Sequence, residues 1–236
     1  MPSAKRFRAE SLLREAERDF AVARTSVKAA AASYERCRDL SPGSDWAGKA
    51  HRAWFLGVSD WIYKALALEE ALEAVMLLDR EGDTGMLPPG PTSAEQVNLA
   101  AVDALPGFDP KDQLRAPASD APEPEPALQK RLKRTNDNFT TATEALKQAR
   151  QLADAAYRTY RGNRTTASAD DLGQMREAWR KTLVVWSFAL RDREVARDKA
   201  LATMKRAGQL STDPTQVGTI FSSNISDPPP DPEELL

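Results

Sequence analysis

A single cysteine, Cys37, in 236 residues excludes an internal disulfide and any multi-cysteine metal site, so the fold must stand on packing alone. A single histidine, His51, leaves no histidine pair for a zinc centre, and the Glu-x-x-His motif of di-iron bundles is absent. No glycine-rich phosphate loop occurs, and no stretch approaches the roughly 20 apolar residues that cross a bilayer. Charge of one sign is lacking too. The 33 basic and 35 acidic residues leave a formal charge of -2, which supplies no global attraction to nucleic acid or anionic membrane. Met1 to Leu13 is basic without an apolar run, which argues against a cleaved signal peptide. The expectation is a protein that is cytoplasmic, carried in a virion-like particle, or exported without a cleaved leader.

What is present is helical periodicity. Ala9, Leu13, Ala16, Phe20, Ala23, Val27, Ala30, Tyr34 and Cys37 alternate in steps of four and three, one apolar stripe on a continuous α-helix. Ser41-Pro42-Gly43-Ser44-Asp45 breaks it, since proline lacks a backbone donor and glycine accepts turn dihedrals. A second helix, from about Trp46 to Leu78, carries Trp54, Val58, Trp61, Ala65, Leu68, Leu72 and Val75. A short connection between helices of matched length predicts an antiparallel hairpin.

The pattern then recurs. Leu128, Leu132, Thr135, Phe139, Ala142, Leu146, Ala149, Ala153, Ala156 and Tyr160 form a third stripe, with a break beginning at Arg161-Gly162-Asn163. Ser168 is the expected N-cap of a fourth helix bearing Leu172, Met175, Trp179, Leu183, Trp186, Leu190, Ala196, Ala200 and Met204. Phe20 aligns with Phe139 at an offset of 119 and Trp54 with Trp179 at 125, which predicts a second turn six residues longer than the first. The fold expected is all-α: two tandem antiparallel hairpins, residues 1–81 and 127–207, packed as a four-helix bundle with internal pseudo-two-fold symmetry. Residues 82–126 read as a proline-rich linker holding one short helix, Ser93 to Leu105, and residues 208–236 as a disordered acidic, proline-rich tail.

Candidate chemistry is sparse, and no cofactor, metal or catalytic residue is predicted. His51 reads as a surface or boundary residue, and Cys37 as a small hydrophobe on the stripe. Glu69, Glu70 and Glu73 read as solvated charges, and Asp170-Asp171 as carboxylates at the positive end of a helix dipole. Two basic clusters, Lys5-Arg6-Phe7-Arg8 and Lys130-Arg131-Leu132-Lys133-Arg134, open the two units and could form one positive patch if the repeat brings them together. Nearby acidic residues and the lack of an aromatic platform argue against nucleic-acid binding. Trp46 stands apart at the hairpin tip, beyond the mid-bundle core, where an exposed aromatic suits a partner contact.

Around that tip, Trp46-Ala47-Gly48 with Ala53, Trp54 and Trp61 resembles the Trp-x-Gly family of small helical hairpins exported by type VII secretion systems. The second unit keeps Gly173, Ala178, Trp179 and Trp186 in the same register, with Asp171 in place of the turn tryptophan. The resemblance implies a fused pair of hairpins in which family members otherwise pair as two chains. It departs from the family at the export signal: Tyr63 is followed four residues on by Ala67 rather than an acid, and no tyrosine follows Met204. The reading is a non-catalytic protein–protein interaction module, contacting a protein partner or itself through Trp46 and Gly48. The alternative is an intracellular or phage-virion structural adaptor that uses the bundle as a rigid spacer.

Overall fold

Helices α1 (Ala4–Leu40), α2 (Asp45–Glu81), α3 (Glu125–Asn163) and α4 (Ala169–Leu210) make up the computed structural model, which describes residues 4–81 and 125–210. Among these residues there is no strand. The helices hold 37, 37, 39 and 42 residues, or about 55–63 Å each at 1.5 Å rise. Local chemistry sets their starts. Ser44 Oγ accepts from the Ala47 amide at 3.2 Å, and Ser168 Oγ accepts from the Asp171 amide at 3.2 Å, each satisfying a first-turn donor. The Ser168 hydroxyl in turn donates to Asp171 at 2.7 Å. Pro126 falls in the first turn of α3, where its missing N–H leaves no helical bond unmade.

The predicted bundle is the fold observed. α1 packs along α2 and α3 along α4 as two antiparallel hairpins, while α2 and α4 touch across the bundle. The stripes meet in a main core in which Trp54, Trp61, Trp179 and Trp186 are at most 1% exposed, with Leu128, Leu132 and Phe139 in two smaller clusters against α4. Phe20 tilts against Trp61 with ring centroids 5.9 Å apart. Small residues between the rings (Ala23, Ala65, Ala149 and Ala153, all buried) let the helices approach closely enough to enclose them.

The hairpins lie head to tail. At one end the first turn rests on late α4, where a Cβ on Gly43 would sit 2.9 Å from that of Ala202. At the other end Arg80, late in α2, donates to the carbonyls of Thr165 (3.4 Å) and Ala167 (2.8 Å) in the second turn. This arrangement keeps apart the two basic clusters, so they do not form the single patch that the repeat left open. Arg6 pairs with Asp79 at the end of α2, whereas Arg131 and Arg134 lie beside the first turn.

The repeat register also differs from the offset of 119. Tyr34 stacks on Trp54 (5.4 Å, 17°) and Tyr160 on Trp179 (5.9 Å, 9°), so the opening helices correspond at 126, one heptad further on. The second connection, counted from tyrosine to tryptophan, is one residue shorter than the first rather than six longer. A stripe of sevenfold period matches itself after a slip of seven, so the alanine-rich pattern alone could not choose. Helix α3 starts at Glu125 and α4 continues to Leu210, each slightly beyond the predicted span. The predicted helix from Ser93 to Leu105, the remainder of the linker and the tail beyond Leu210 lie outside the described residues.

Two glycines near the first turn behave oppositely. Gly43 has φ 74° and abuts Ala202, while Gly48 lies within α2 with nothing within 4 Å of an added Cβ. Gly43→Ala is expected to lower stability by at least about 1–2 kcal/mol from left-handed backbone strain alone. Gly48→Ala should raise it by roughly 0.5–1 kcal/mol. Urea unfolding of the two variants checks the pair, and a gain in Gly43→Ala would contradict the turn geometry.

Candidate functional site

Burial of charge between the hairpins is the main departure from the sequence reading. Glu69 and Glu73, expected to be solvated, are 8% and 1% exposed, and Glu194 is fully buried. Each set is held by an opening helix of the other hairpin. From α3, Tyr160 donates to Glu73 at 3.1 Å and Tyr157 to Glu69 at 3.1 Å. Arg164 is ion-paired to Glu69, and Arg176 reaches Glu73 at 2.6 Å and Glu70 at 3.4 Å. From α1, Tyr34 donates to Asp198 at 3.0 Å and to Glu194 at 3.4 Å, with Arg38 3.9 Å from Glu194. Arg193 and Arg197 of α4 complete that second cluster around Glu194.

The two clusters are copies. With the register set by the stacked rings, Glu69 corresponds to Glu194, Glu73 to Asp198, Tyr34 to Tyr160 and Arg38 to Arg164. Each arginine sits over its own tyrosine, at 5.7 Å for Arg38 and 5.4 Å for Arg164. Burial, followed by the Asp198 and Glu194 carboxylates, pushes the Tyr34 hydroxyl well above the ordinary phenol range. Burial and Glu73 do the same to Tyr160. Both phenols therefore remain hydrogen-bond donors at neutral pH. The residues missed from sequence are these acids and arginines. The signal available was the recurrence of Glu69 and Glu73 as Glu194 and Asp198 at the same offset as the tryptophans.

His51 is likewise buried, at 2% exposure, rather than at the surface. Its ring lies 5.1 Å from Tyr34 and 5.7 Å from Trp54, and its Nε2 has no hydrogen-bond partner. Burial, aided by the charge of Arg191, lowers its pKa to about 4, so the imidazole is neutral. It lines a groove of about 360 Å³ formed by the first turn, the start of α3 and the end of α4. Gly48, Arg134, Asp198 and Lys199 also border the groove. Burial pushes Asp198 up to about 7, with Glu194 adding to it, while the Tyr34 hydrogen bond, Arg38 and Arg197 pull the other way.

Trp46, in the first turn of α2, is 65% exposed, and Leu40 on the other side of the turn is 64% exposed. Ala47 between Trp46 and Gly48 is buried, so the two predicted contact residues lie on different faces: Trp46 in solvent, Gly48 on the groove. Cys37 is half-buried on the stripe. Among the described residues no group of histidine, cysteine or acidic side chains is arranged to hold a metal ion, and no helix is long and apolar enough to cross a membrane.

His51 and Asp198 make opposite contributions to pH dependence. Below pH 6.5 the unfolded chain takes up a proton on His51 that the folded one refuses until about pH 4, so this group makes stability rise with pH across that window. Asp198 holds a proton in the folded state up to about 7 but releases it near 3.8 when unfolded, so it makes stability fall between those values. Asp198→Asn should therefore show stability rising from pH 4 to 6.5 relative to the parent, on the order of 2–3 kcal/mol. His51→Gln should show a relative fall over the same range. Urea titrations at successive pH values measure both slopes, and identical slopes in the two variants would refute the assignment. No family model, curated protein or solved structure matches this chain, so the geometry above carries the functional reading.

Proposed function

We propose that the protein is a non-catalytic interaction module that contacts a protein partner through the tip of its first hairpin. The observation that carries this reading is Trp46, a large aromatic 65% exposed at the end of a rod whose other four tryptophans are buried. An exposed indole on a helical first turn offers rigid apolar area at little entropic cost, the usual make-up of an interface anchor. The Trp-Ala-Gly tip and the paired hairpins are the features shared with the Trp-x-Gly proteins of type VII secretion. On that reading the fused pair replaces a two-chain assembly, and the tip is left for the partner. The length of the helices, with buried ion pairs locking the hairpins, supports a second reading as a virion or intracellular spacer.

Fractionation of the native protein separates the two. Secretion requires unprocessed protein in the culture supernatant; recovery only from washed cells or purified particles, at fixed stoichiometry, favours the spacer. The tip itself is tested by a pair of substitutions. Trp46→Ala should change stability by no more than about 0.5 kcal/mol while reducing crosslinking to the partner from neighbouring tip positions. Trp61→Ala, which empties the core, should cost about 3–5 kcal/mol. Equal losses of melting temperature in the two variants would show that Trp46 is structural.

A further inference from the structure

The groove beside the first turn has a counterpart at the opposite end of the bundle, which follows the same plan but carries different side chains. Where the groove has His51, the second hairpin has Arg176, which fills its site and pairs with Glu73 and Glu70. Where the groove has Ala202 and Thr203, α2 has Leu77 and Leu78, which are 3% and 7% exposed. That end also has a space of about 380 Å³, bordered by Met76, Leu77, Asp79, Arg80, Arg164 and Thr165, and Arg176 there is held by its acids. The groove beside the first turn, about 360 Å³, differs from it in lining: a buried imidazole on its wall keeps Nε2 unpaired. An unsatisfied polar atom at that depth costs roughly 1–3 kcal/mol, a cost a ligand could relieve.

The charge around the space is one-sided. Arg131, Arg134, Lys199 and Arg206 line it, against the single carboxylate of Asp198. Arg134 and Lys199 are exposed and take part in no ion pair among the described residues. Behind the groove, Arg38, Arg193 and Arg197 surround Glu194 and add to the positive potential. Burial pushes the Asp198 carboxyl up to about 7, so the one carboxylate on the groove wall is only partly charged at neutral pH. The volume falls within the range of small-molecule sites, and two cations unpaired among the described residues, Arg134 and Lys199, suit a dianion better than a monoanion.

We propose that this groove binds a small phosphorylated organic anion, a phosphate monoester whose phosphate lies between Arg134 and Lys199 and whose polar body meets Nε2 of His51. Val195, Ala47 and Ala202 supply an apolar wall for the carbon skeleton. This site is independent of the Trp46 tip, so either can fail without the other.

Because His51 is the only histidine, its imidazole C–H signals report on the groove without ambiguity. Glucose 6-phosphate and glycerol 3-phosphate titrated into the full-length protein should shift those signals saturably and raise the melting temperature. Sodium chloride at matched ionic strength should do neither. Arg134→Gln with Lys199→Gln, both at exposed positions, should weaken binding about tenfold or more with the fold intact. Thr203→Leu, which puts a larger side chain on the groove wall, should abolish it. Shifts that never saturate, that track ionic strength, or that persist unchanged in the charge variant would overturn the site. So would a response to inorganic phosphate or an oligonucleotide without one to either monoester.

Discussion

Two carboxylate clusters buried between the hairpins constrain everything else in this molecule. Burying Glu73 and Glu194 would be strongly unfavourable unless cations and hydroxyl donors met them, and those partners come largely from the other hairpin. Tyr160 and Arg164 serve one set, Tyr34 and Arg38 the other. Sliding one hairpin along the other by a turn would strand the charges on both sides at once. Apolar stripes tolerate such a slip, because one alanine layer resembles the next. The polar clusters do not, so they select a single head-to-tail register from several that the hydrophobic seam would accept.

The stacked rings connect this selection to the core. Tyr34 lies on Trp54 and Tyr160 on Trp179, with each phenol directed to carboxylates and each arginine placed over its ring. Apolar packing orients the tyrosine, the tyrosine presents its hydroxyl to the acid, and the arginine balances the charge. Because the same device appears twice, departures between its copies stand out. His51 in place of Arg176 and Thr203 in place of Leu78 are such departures, and both fall at the basic groove beside the first turn.

Much of the scaffold was legible in the residues. The stripes from Ala9 to Cys37 and from Leu128 to Tyr160 mark the helices, Ser168 caps the fourth, and the tryptophans at Trp54, Trp61, Trp179 and Trp186 define the core. Exposure of Trp46 follows from its place in the first turn of α2. The polar half was not legible. Glu69 and Glu73 look like surface charges because a solvated acid and a buried, paired acid have the same letter and the same helical spacing. The difference lies in Tyr157, Tyr160, Arg164 and Arg176, about a hundred residues away in sequence. His51 was misplaced for the same reason: its burial depends on α1 supplying Tyr34 and on α4 closing over it.

The chain by itself determined that it would form long amphipathic helices, that these would fold back as hairpins, and that there would be two of them, because periodicity and turn residues act over neighbouring positions. Tertiary structure decided which heptad faces which and which acids are dry. It also decided that the two basic clusters lie at opposite ends and that His51 lines the groove beside the first turn. Those outcomes arise from pairings between groups far apart along the backbone, where desolvation is balanced only when both partners arrive together.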